Sequence, residues 1–202
     1  MNDRKKASKS YYDRRHGNAL AKAGYWKHDY KYISEAVRAA APSSLIDIGC
    51  GTGAFLQYLS ENRLGIKLYG LDLSEGMVKE VNDRMGTKAT VYQGDSEHMP
   101  LQDSQFDFVT CNMSIHHYPQ AQLAVNEMHR ILKPGGTLCI NDMDCIAPIR
   151  WLANKAFPHM KSGDVKMYCR QEIEDMLGTA GLSAISYKKI SPFSFLCTAK
   201  KG

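Results

Sequence analysis

The fold is decided by the stretch Leu45-Ile46-Asp47-Ile48-Gly49-Cys50-Gly51-Thr52-Gly53. Residues 44–48 form a short apolar run typical of a buried strand, and residues 54–62 continue as a helix. The glycines between them predict a tight turn that lets the backbone approach a ligand closely. Because a helix N-terminus offers free N–H groups and partial positive charge, the stretch predicts a ligand-binding turn.

Strand-like and helix-like segments alternate on both sides of this turn. Strands are predicted at 44–48, 67–72, 89–92, 106–111 and 137–140, and helices at 30–41, 54–62, 74–84 and 120–132. Such alternation implies a parallel sheet with helices on both faces. After a helix near 171–180, two strand-like runs at 184–190 and 194–200 are separated by only three residues, so they must pair antiparallel. The sequence therefore predicts an α/β, Rossmann-like fold whose seven-stranded, mostly parallel sheet has an antiparallel C-terminal strand.

Composition excludes several classes of protein. The 202 residues are 44% hydrophobic and 23% charged, with a mean hydropathy of −0.39. Apolar runs fall short of the roughly 18 residues that a membrane helix needs, and the charged N-terminus does not resemble a secretion signal. The six cysteines form no CxxC pair. We expect reduced thiols and a cytoplasmic protein that does not span a membrane.

The net charge of +5 is unevenly distributed. Residues 1–31 hold nine basic and three acidic residues, which leaves the rest of the chain close to neutral. This predicts a basic N-terminal leader or lid at 1–29 and a main domain at 30–202, with a cap insertion at about 142–168. Nucleic acid is an unfavoured partner because the excess charge lies outside the main domain.

The glycine turn does not by itself identify its ligand. Gly49-x-Gly51-x-x-Ala54 fits the loose dinucleotide pattern, and Asp72 follows at a distance suited to a ribose contact. A nicotinamide oxidoreductase is therefore one alternative. Two features favour another ligand: Asp47 can help to hold an ammonium group, and the sheet ends in a hairpin instead of a second mononucleotide-binding half.

Further motifs follow the turn in a fixed order. They are Leu71-Asp72-Leu73-Ser74, Gly94-Asp95-Ser96, Phe106-Asp107-Phe108-Val109 and Arg130-Ile131-Leu132-Lys133-Pro134-Gly135-Gly136. With these motifs the sequence, over roughly residues 30–200, resembles the class I S-adenosylmethionine-dependent methyltransferases. It is most similar to the small-molecule branch that includes quinone-biosynthesis methyltransferases. The resemblance implies in-line methyl transfer from S-adenosylmethionine to a small-molecule acceptor, with S-adenosylhomocysteine as product and no metal ion.

The same resemblance implies cofactor contacts. They come from Asp47, Gly49, Cys50, Gly51, Gly53, Asp72, Leu73, Met77, Asp95, Ser96, Asn112 and Met113. The glycine turn would lie along the methionine part, with Asp47 near the amino group. Asp72 would accept hydrogen bonds from both ribose hydroxyls, and Asp95 would accept one from the adenine amino group. Leu73 and Met77 would pack on the adenine. Asn112 and Met113, just after the fourth strand, would face the methyl group.

A general base is needed only if the acceptor must lose a proton. His116 and His117 follow the fourth strand, at the rim where open α/β sheets bind ligands. Either histidine could be a base, shape the acceptor site or be structural. No third metal ligand occurs at a suitable spacing, so the sequence predicts no metal site.

Aromatic residues in the leader and the cap are candidates for the acceptor site. Tyr11, Tyr12 and Trp26 could form a lid or a helix at the sheet edge, and Trp151 could contact an apolar acceptor or fill the cap. An RNA or protein methyltransferase and a non-catalytic S-adenosylmethionine-binding module remain alternatives. The sequence indicates neither the acceptor atom nor the oligomeric state.

Overall fold

A computed structural model of the chain describes residues 3–13, 27–62, 65–160 and 162–202. Its strands are β1 (Ser44–Ile48), β2 (Lys67–Asp72), β3 (Ala89–Gln93), β4 (Phe106–Asn112), β5 (Leu132–Met143), β6 (Leu182–Ser191) and β7 (Ser194–Lys201). They form one sheet in the order β3-β2-β1-β4-β5-β7-β6. Strand β7 is antiparallel to β5 and β6, and the other neighbours are parallel. The predicted fold class is therefore confirmed.

Helices cover both faces of the sheet. The described α-helices are α1 (Asp3–Asp13), α2 (Lys27–Ala40), α3 (Ala54–Glu61), α4 (Glu75–Met85), α5 (Ala121–Ile131), α6 (Ala147–Ala156) and α7 (Arg170–Thr179). Helices α2, α3 and α4 contribute to one apolar core, and α5 and α7 contribute to the other. A sheet that is covered on both faces buries both sides of its central strands, which explains the continuous apolar run of β1.

Strand β1 shows how the sequence sets the two cores. All five of its residues are buried. Ile46 and Ile48 pack in the core with α5 and α7, whereas Leu45 packs in the core with α2, α3 and α4, because successive side chains point to opposite faces. Asp47 shares this buried environment at 2% exposure. A carboxylate placed there needs polar partners, which makes Asp47 a functional candidate.

Strand β5 is longer than the sequence predicts. Its pairing with β4 starts at Phe106 with Leu132 and resumes at Phe108 with Thr137. The extra residues on β5, which include Pro134, bulge between these two pairings, so the strand continues through a segment that reads as a turn. The carboxyl end of β5 reaches Met143, beside the cap segment.

The cap segment between β5 and α7 includes α6 and a short 3-10 helix, Phe157–His159. Phe157, Cys145 and Met167 form a small apolar cluster of their own. Other apolar side chains of α6 face outward, with Trp151 61% exposed. Across the parts of the chain that the structure describes, no helix combines the length and apolar character needed to cross a membrane.

Candidate functional site

A cavity of about 150 Å³ opens at the carboxyl ends of β1, β2, β3 and β4. Ligands bind at this edge in open α/β sheets. Eight of the residues with predicted cofactor contacts line the cavity: Gly49, Gly51, Asp72, Leu73, Met77, Asp95, Ser96 and Met113. The structure therefore brings together residues that are spread over 65 positions of the sequence.

The glycine turn between β1 and α3 depends on two different properties of glycine. Gly49 has φ +73°, and a Cβ atom there would lie 1.9 Å from the Ser114 hydroxyl oxygen. Gly51 has φ +51°, but its Cβ position has nothing within 4 Å. Gly53 is the N-cap of α3 with φ +66°. The turn is therefore closely packed at Gly49 and has room for a ligand at Gly51.

The neighbouring Cys50 is buried, and its backbone N–H donates to the Leu71 carbonyl at 3.1 Å. Burial raises the pKa of the Cys50 thiol well above its ordinary value. The thiol is therefore a protonated packing group at neutral pH, and its contribution to the turn is structural.

The Asp72 carboxylate ends β2 and holds the turn in place. One oxygen accepts from the Gly51 N–H at 2.7 Å, and the other accepts from the Ser74 N–H at 2.9 Å. Burial raises the pKa of Asp72, and these hydrogen bonds oppose the rise. A carboxylate offers about four lone-pair positions, so each oxygen can still accept one more hydrogen bond. This geometry suits the two adjacent hydroxyls of a ribose.

Asp47 and Asn112 lie together beneath the turn. The Asp47 carboxylate accepts from the Thr110 hydroxyl at 2.7 Å, and the Asn112 backbone also donates to it. Burial raises the pKa of Asp47 to about 7, and the charge of Asp72 adds to the rise. The buried Asn112 side-chain oxygen has no hydrogen-bond partner among the described residues. These two acceptors fit a ligand that brings an ammonium group.

Helix α1 lies over the cavity opposite the turn. The Lys5 ammonium lies 2.8 and 2.6 Å from the two Asp95 oxygens and 2.5 Å from a Glu97 oxygen. Ser8 of the same helix also lines the cavity. At its C-terminal end, α1 is anchored by a hydrogen bond from Ser74 to Asp13. Helix α1 is thus attached to the rim by charged and polar contacts.

No sequence pattern indicates that Lys5, Ser8 or Glu97 belongs to the site. The basic excess of residues 1–31 pointed to a lid, but no pattern indicated which lysine meets the site. Tyr11 is half-buried on α1, and Tyr12 lies on the same helix. Trp26 lies outside the described residues. Trp151 is on the exposed surface of α6 and is not among the cavity-lining residues. A lid or acceptor role for these aromatic residues stays a prediction.

His116 and His117 have different surroundings within the 3-10 helix Ile115–His117. Ring nitrogen Nδ1 of His116 lies 2.7 Å from an Asp142 oxygen. Burial opposes protonation of His116, but Asp142 and Asp164 raise its pKa overall. Burial and the charge of His116 lower the pKa of His117 well below its ordinary value. His117 lines the cavity, so a neutral imidazole faces the site.

Residues 46–140 match a family model that is described as a methyltransferase domain. The matched segment is similar to the methyltransferase domains of class I, S-adenosylmethionine-dependent enzymes. This confirms the resemblance that the sequence motifs indicate. The match runs from β1 into β5 and so includes the turn, Asp72, Asp95 and the histidine pair.

Curated relatives of the methyltransferase domain have several different acceptors in their names. A malonyl-[acyl-carrier protein] O-methyltransferase of Dechloromonas aromatica is 30% identical over 159 residues, which cover 78% of this chain and 58% of the relative. A demethylmenaquinone methyltransferase of Staphylococcus carnosus is 30% identical over 124 residues, which cover 59% of this chain and 51% of the relative. The chain thus spans between one half and three fifths of these relatives.

A solved structure supports the fold over nearly the whole chain. It is a methyltransferase of Thermotoga maritima, described as a possible histamine N-methyltransferase. The two superpose with a TM-score of 0.69 at 23% identity, covering 95% of this chain and 98% of the other. At this identity the likeness concerns the fold alone.

Proposed function

We propose that the protein is an enzyme that transfers the methyl group of S-adenosylmethionine to a small-molecule acceptor with aromatic or apolar surface. The observation that carries the proposal is the arrangement at the Asp72 carboxylate. Both of its oxygens keep acceptor capacity at the cavity, beside the open space at Gly51. The cytoplasmic location is proposed from the sequence, whose cysteines suit a reducing compartment.

The cavity-lining residues, together with Asp47 and Asn112, which are not among them, fit each part of the cofactor. Asp72 would accept from the ribose hydroxyls, and Asp47 with the Asn112 oxygen would take the ammonium group. Met77 is buried against the cavity and, with Leu73, offers apolar surface for the adenine. Asp95 would accept from the adenine amino group and would share its carboxylate with Lys5. The proposal therefore gives Lys5 a role in closing α1 over the bound nucleoside.

S-adenosylmethionine supplies a sulfonium methyl group that is already activated for displacement. The protein then needs chiefly to align the acceptor and to exclude water. Helix α1 covers the cavity and would exclude water on its side. Met113, with φ +51°, follows β4 at the cavity wall and would hold the acceptor side of the site in shape. Activation of the methyl group itself requires no metal ion.

His117 is placed to meet the acceptor. Its imidazole lines the cavity, and its lowered pKa keeps it neutral at pH 7. A neutral imidazole can accept a hydrogen bond from an acceptor hydroxyl or take its proton. His116 is already hydrogen-bonded to Asp142, so we assign it a positioning role.

The class of acceptor is supported by the names of the relatives. The names of the relatives include malonyl-[acyl-carrier protein], demethylmenaquinone and tocopherol, so similar domains accompany varied acceptors. Because this chain spans only about half of the first two relatives, no single one of these acceptors is transferred to it. The cap segment, which lies outside the matched residues 46–140, would complete the acceptor site.

The test has two stages, both made with the full chain. Calorimetry first compares binding of S-adenosylmethionine, S-adenosylhomocysteine and NAD. Labelled S-adenosylmethionine is then incubated with a panel of phenols, quinols, thiols and amines, and with RNA and protein substrates. Affinity for the two sulfur nucleosides with label transfer to a small molecule is expected. Tight binding of NAD alone, label in RNA or protein, or cofactor binding without any transfer would each contradict the proposal.

A further inference from the structure

Three metal-ligating side chains converge at the edge of the cavity. They are His116, His117 and Asp164, and one ligand atom of each lies within 4.8 Å of the others. Sequence spacing offers the two histidines no third ligand, since Asp164 lies 47 residues after His117. The fold supplies it by folding the cap segment back onto the 3-10 helix. We propose that these three residues bind a divalent transition-metal ion of the zinc class.

The distances between the ligand atoms suit such an ion. Asp164 Oδ1 lies 3.6 Å from His116 Nε2 and 3.1 Å from His117 Nδ1. Zinc–nitrogen and zinc–oxygen bonds of about 2.0–2.2 Å at tetrahedral angles place neighbouring ligand atoms roughly 3.3–3.6 Å apart. The two distances to Asp164 therefore lie within a few tenths of an ångström of this spacing, and the two imidazole nitrogens lie within 4.8 Å of each other.

Two of the three ligands, His116 and Asp164, are also held by groups behind them. Asp142 accepts from His116 Nδ1 at 2.7 Å, which directs the Nε2 lone pair toward Asp164. Asp142 is itself fixed by the Met143 N–H at 2.6 Å. Ser162 donates to Asp164 Oδ2, which leaves Oδ1 for the imidazoles. A carboxylate behind a ligating histidine is the usual support of a protein metal site.

The backbone fastens the two halves of the cluster together. The N–H groups of Val165 and Lys166 both donate to the His116 carbonyl, at 2.8 and 3.2 Å. Asp164 is thereby held against the histidine pair without help from an ion. Such a preformed arrangement lowers the cost of ordering the ligands when the ion binds.

Two imidazoles and one carboxylate leave at least one coordination position for another ligand, as in catalytic zinc sites. His117 also lines the cavity, so an ion held here would lie at the edge of the acceptor region. There it could bind an acceptor oxygen or sulfur and favour its deprotonated form. This last role rests on the proposed methyltransferase function, and it would replace His117 as proton acceptor, because a neutral imidazole bound to a metal through Nδ1 has no second lone pair. Metal binding itself does not rest on that function.

The test uses untagged, chelator-treated full-length protein titrated with Co²⁺ and Zn²⁺. We expect a Co²⁺ complex with the intense visible absorption of four-coordinate cobalt, a micromolar or tighter affinity, and displacement by Zn²⁺ but not by Mg²⁺. Asp164→Asn should weaken Co²⁺ binding about tenfold or more. The matched control Asp175→Asn removes an exposed acid of α7 and should leave binding unchanged.

Several results would overturn the proposal. A protonated His116 between Asp142 and Asp164 would make the same contacts without an ion. The absence of a cobalt absorption spectrum at millimolar Co²⁺ would favour that arrangement and overturn the metal site. Equal affinity in Asp164→Asn, or in a second variant His117→Gln, would place the ion elsewhere. A thiolate-to-cobalt absorption band would assign it to a cysteine. Circular dichroism confirms that each variant is folded.

Binding of S-adenosylhomocysteine separates this proposal from the proposed function. Asp164 is not among the cavity-lining residues, so Asp164→Asn should keep its nucleoside affinity within about twofold while it loses the metal. Metal binding without nucleoside binding would refute the methyltransferase proposal alone. Nucleoside binding without metal binding would refute the metal site alone.

Discussion

Replacement of Asp72 by alanine tests the cofactor assignment most directly. The side chain ends β2 and accepts one backbone N–H on each oxygen, from Gly51 and from Ser74. In Asp72→Ala both remaining acceptor positions are lost, and with them the two proposed bonds to the ribose hydroxyls. A hydrogen bond to a charged group contributes about 1.5–3 kcal/mol. Water can enter the truncated site and solvate the hydroxyls, so we expect a total loss within this range.

A loss of about 1.5–3 kcal/mol weakens binding roughly 10- to 150-fold. Isothermal titration calorimetry at constant pH and salt measures the dissociation constants of S-adenosylmethionine and S-adenosylhomocysteine. Because both nucleosides carry the same ribose, both should lose the same factor. A loss confined to the sulfonium compound would indicate instead that Asp72 acts on its charge.

The control is Asp83→Ala, which removes an exposed acid of α4 that pairs with Lys79. An exposed pair of this kind contributes at most about 1 kcal/mol to stability, and nucleoside affinity should not change. Thermal unfolding must show that Asp72→Ala is folded at the assay temperature, since two backbone N–H groups lose their acceptor. A folded variant with wild-type affinity would refute the ribose assignment.

Three further predictions concern the same cavity. Burial raises the pKa of Asp47 to about 7, and a ligand ammonium would lower it, so cofactor binding at pH 7 should release about half a proton. Calorimetry in two buffers of different ionisation enthalpy measures this proton release. If Asp47→Asn releases the same number of protons, the reasoning is contradicted. Gly49→Ala should lower the free energy of unfolding by about 3 kcal/mol or more, because its Cβ would overlap a neighbouring hydroxyl. Gly51→Ala should lower it by only about 1–2 kcal/mol, because the left-handed backbone is strained for alanine, and it should weaken nucleoside binding. Urea unfolding compares the two, and equal losses of stability would refute the packing argument. Lys5→Met should speed both association and release of the nucleoside in stopped-flow experiments, because α1 loses its anchor. Lys6→Met, on the exposed side of α1, is the control. Unchanged rates in Lys5→Met would show that α1 is not a lid.

Local patterns predicted the strands, the helices and the glycine turn. Ser74 illustrates why: the sequence marks it as an N-cap, and its hydroxyl accepts from the Met77 N–H at 3.2 Å. Strands β1 and β2 have the predicted bounds because their apolar runs end at polar or glycine residues. In these places the information lies within a few residues of the chain. The position of Asp72 at the cavity follows from the parallel order of β1 and β2.

Contacts between distant segments cannot be predicted from such local patterns. Lys5 and Asp95 are 90 residues apart, and nothing in the basic leader distinguishes Lys5 from its neighbours. The extent of β5 depends on a bulge whose partner is β4, so its Pro-Gly-Gly run alone suggested a turn. A pattern within one segment carries no information on which other segment packs against it.

The histidine pair shows what this limit means for function. From the sequence, His116 and His117 are two equivalent imidazoles after β4, and their roles stay open. In the folded chain Asp142 and Asp164 make them different, since one imidazole is hydrogen-bonded to a carboxylate and the other lines the cavity. Both acids belong to the segment at and after the end of β5, close to or outside the end of the family match at residue 140. In the proposed methyltransferase, the segment after residue 140 would therefore set the chemistry on the acceptor side, whereas the matched residues 46–140 would set cofactor binding.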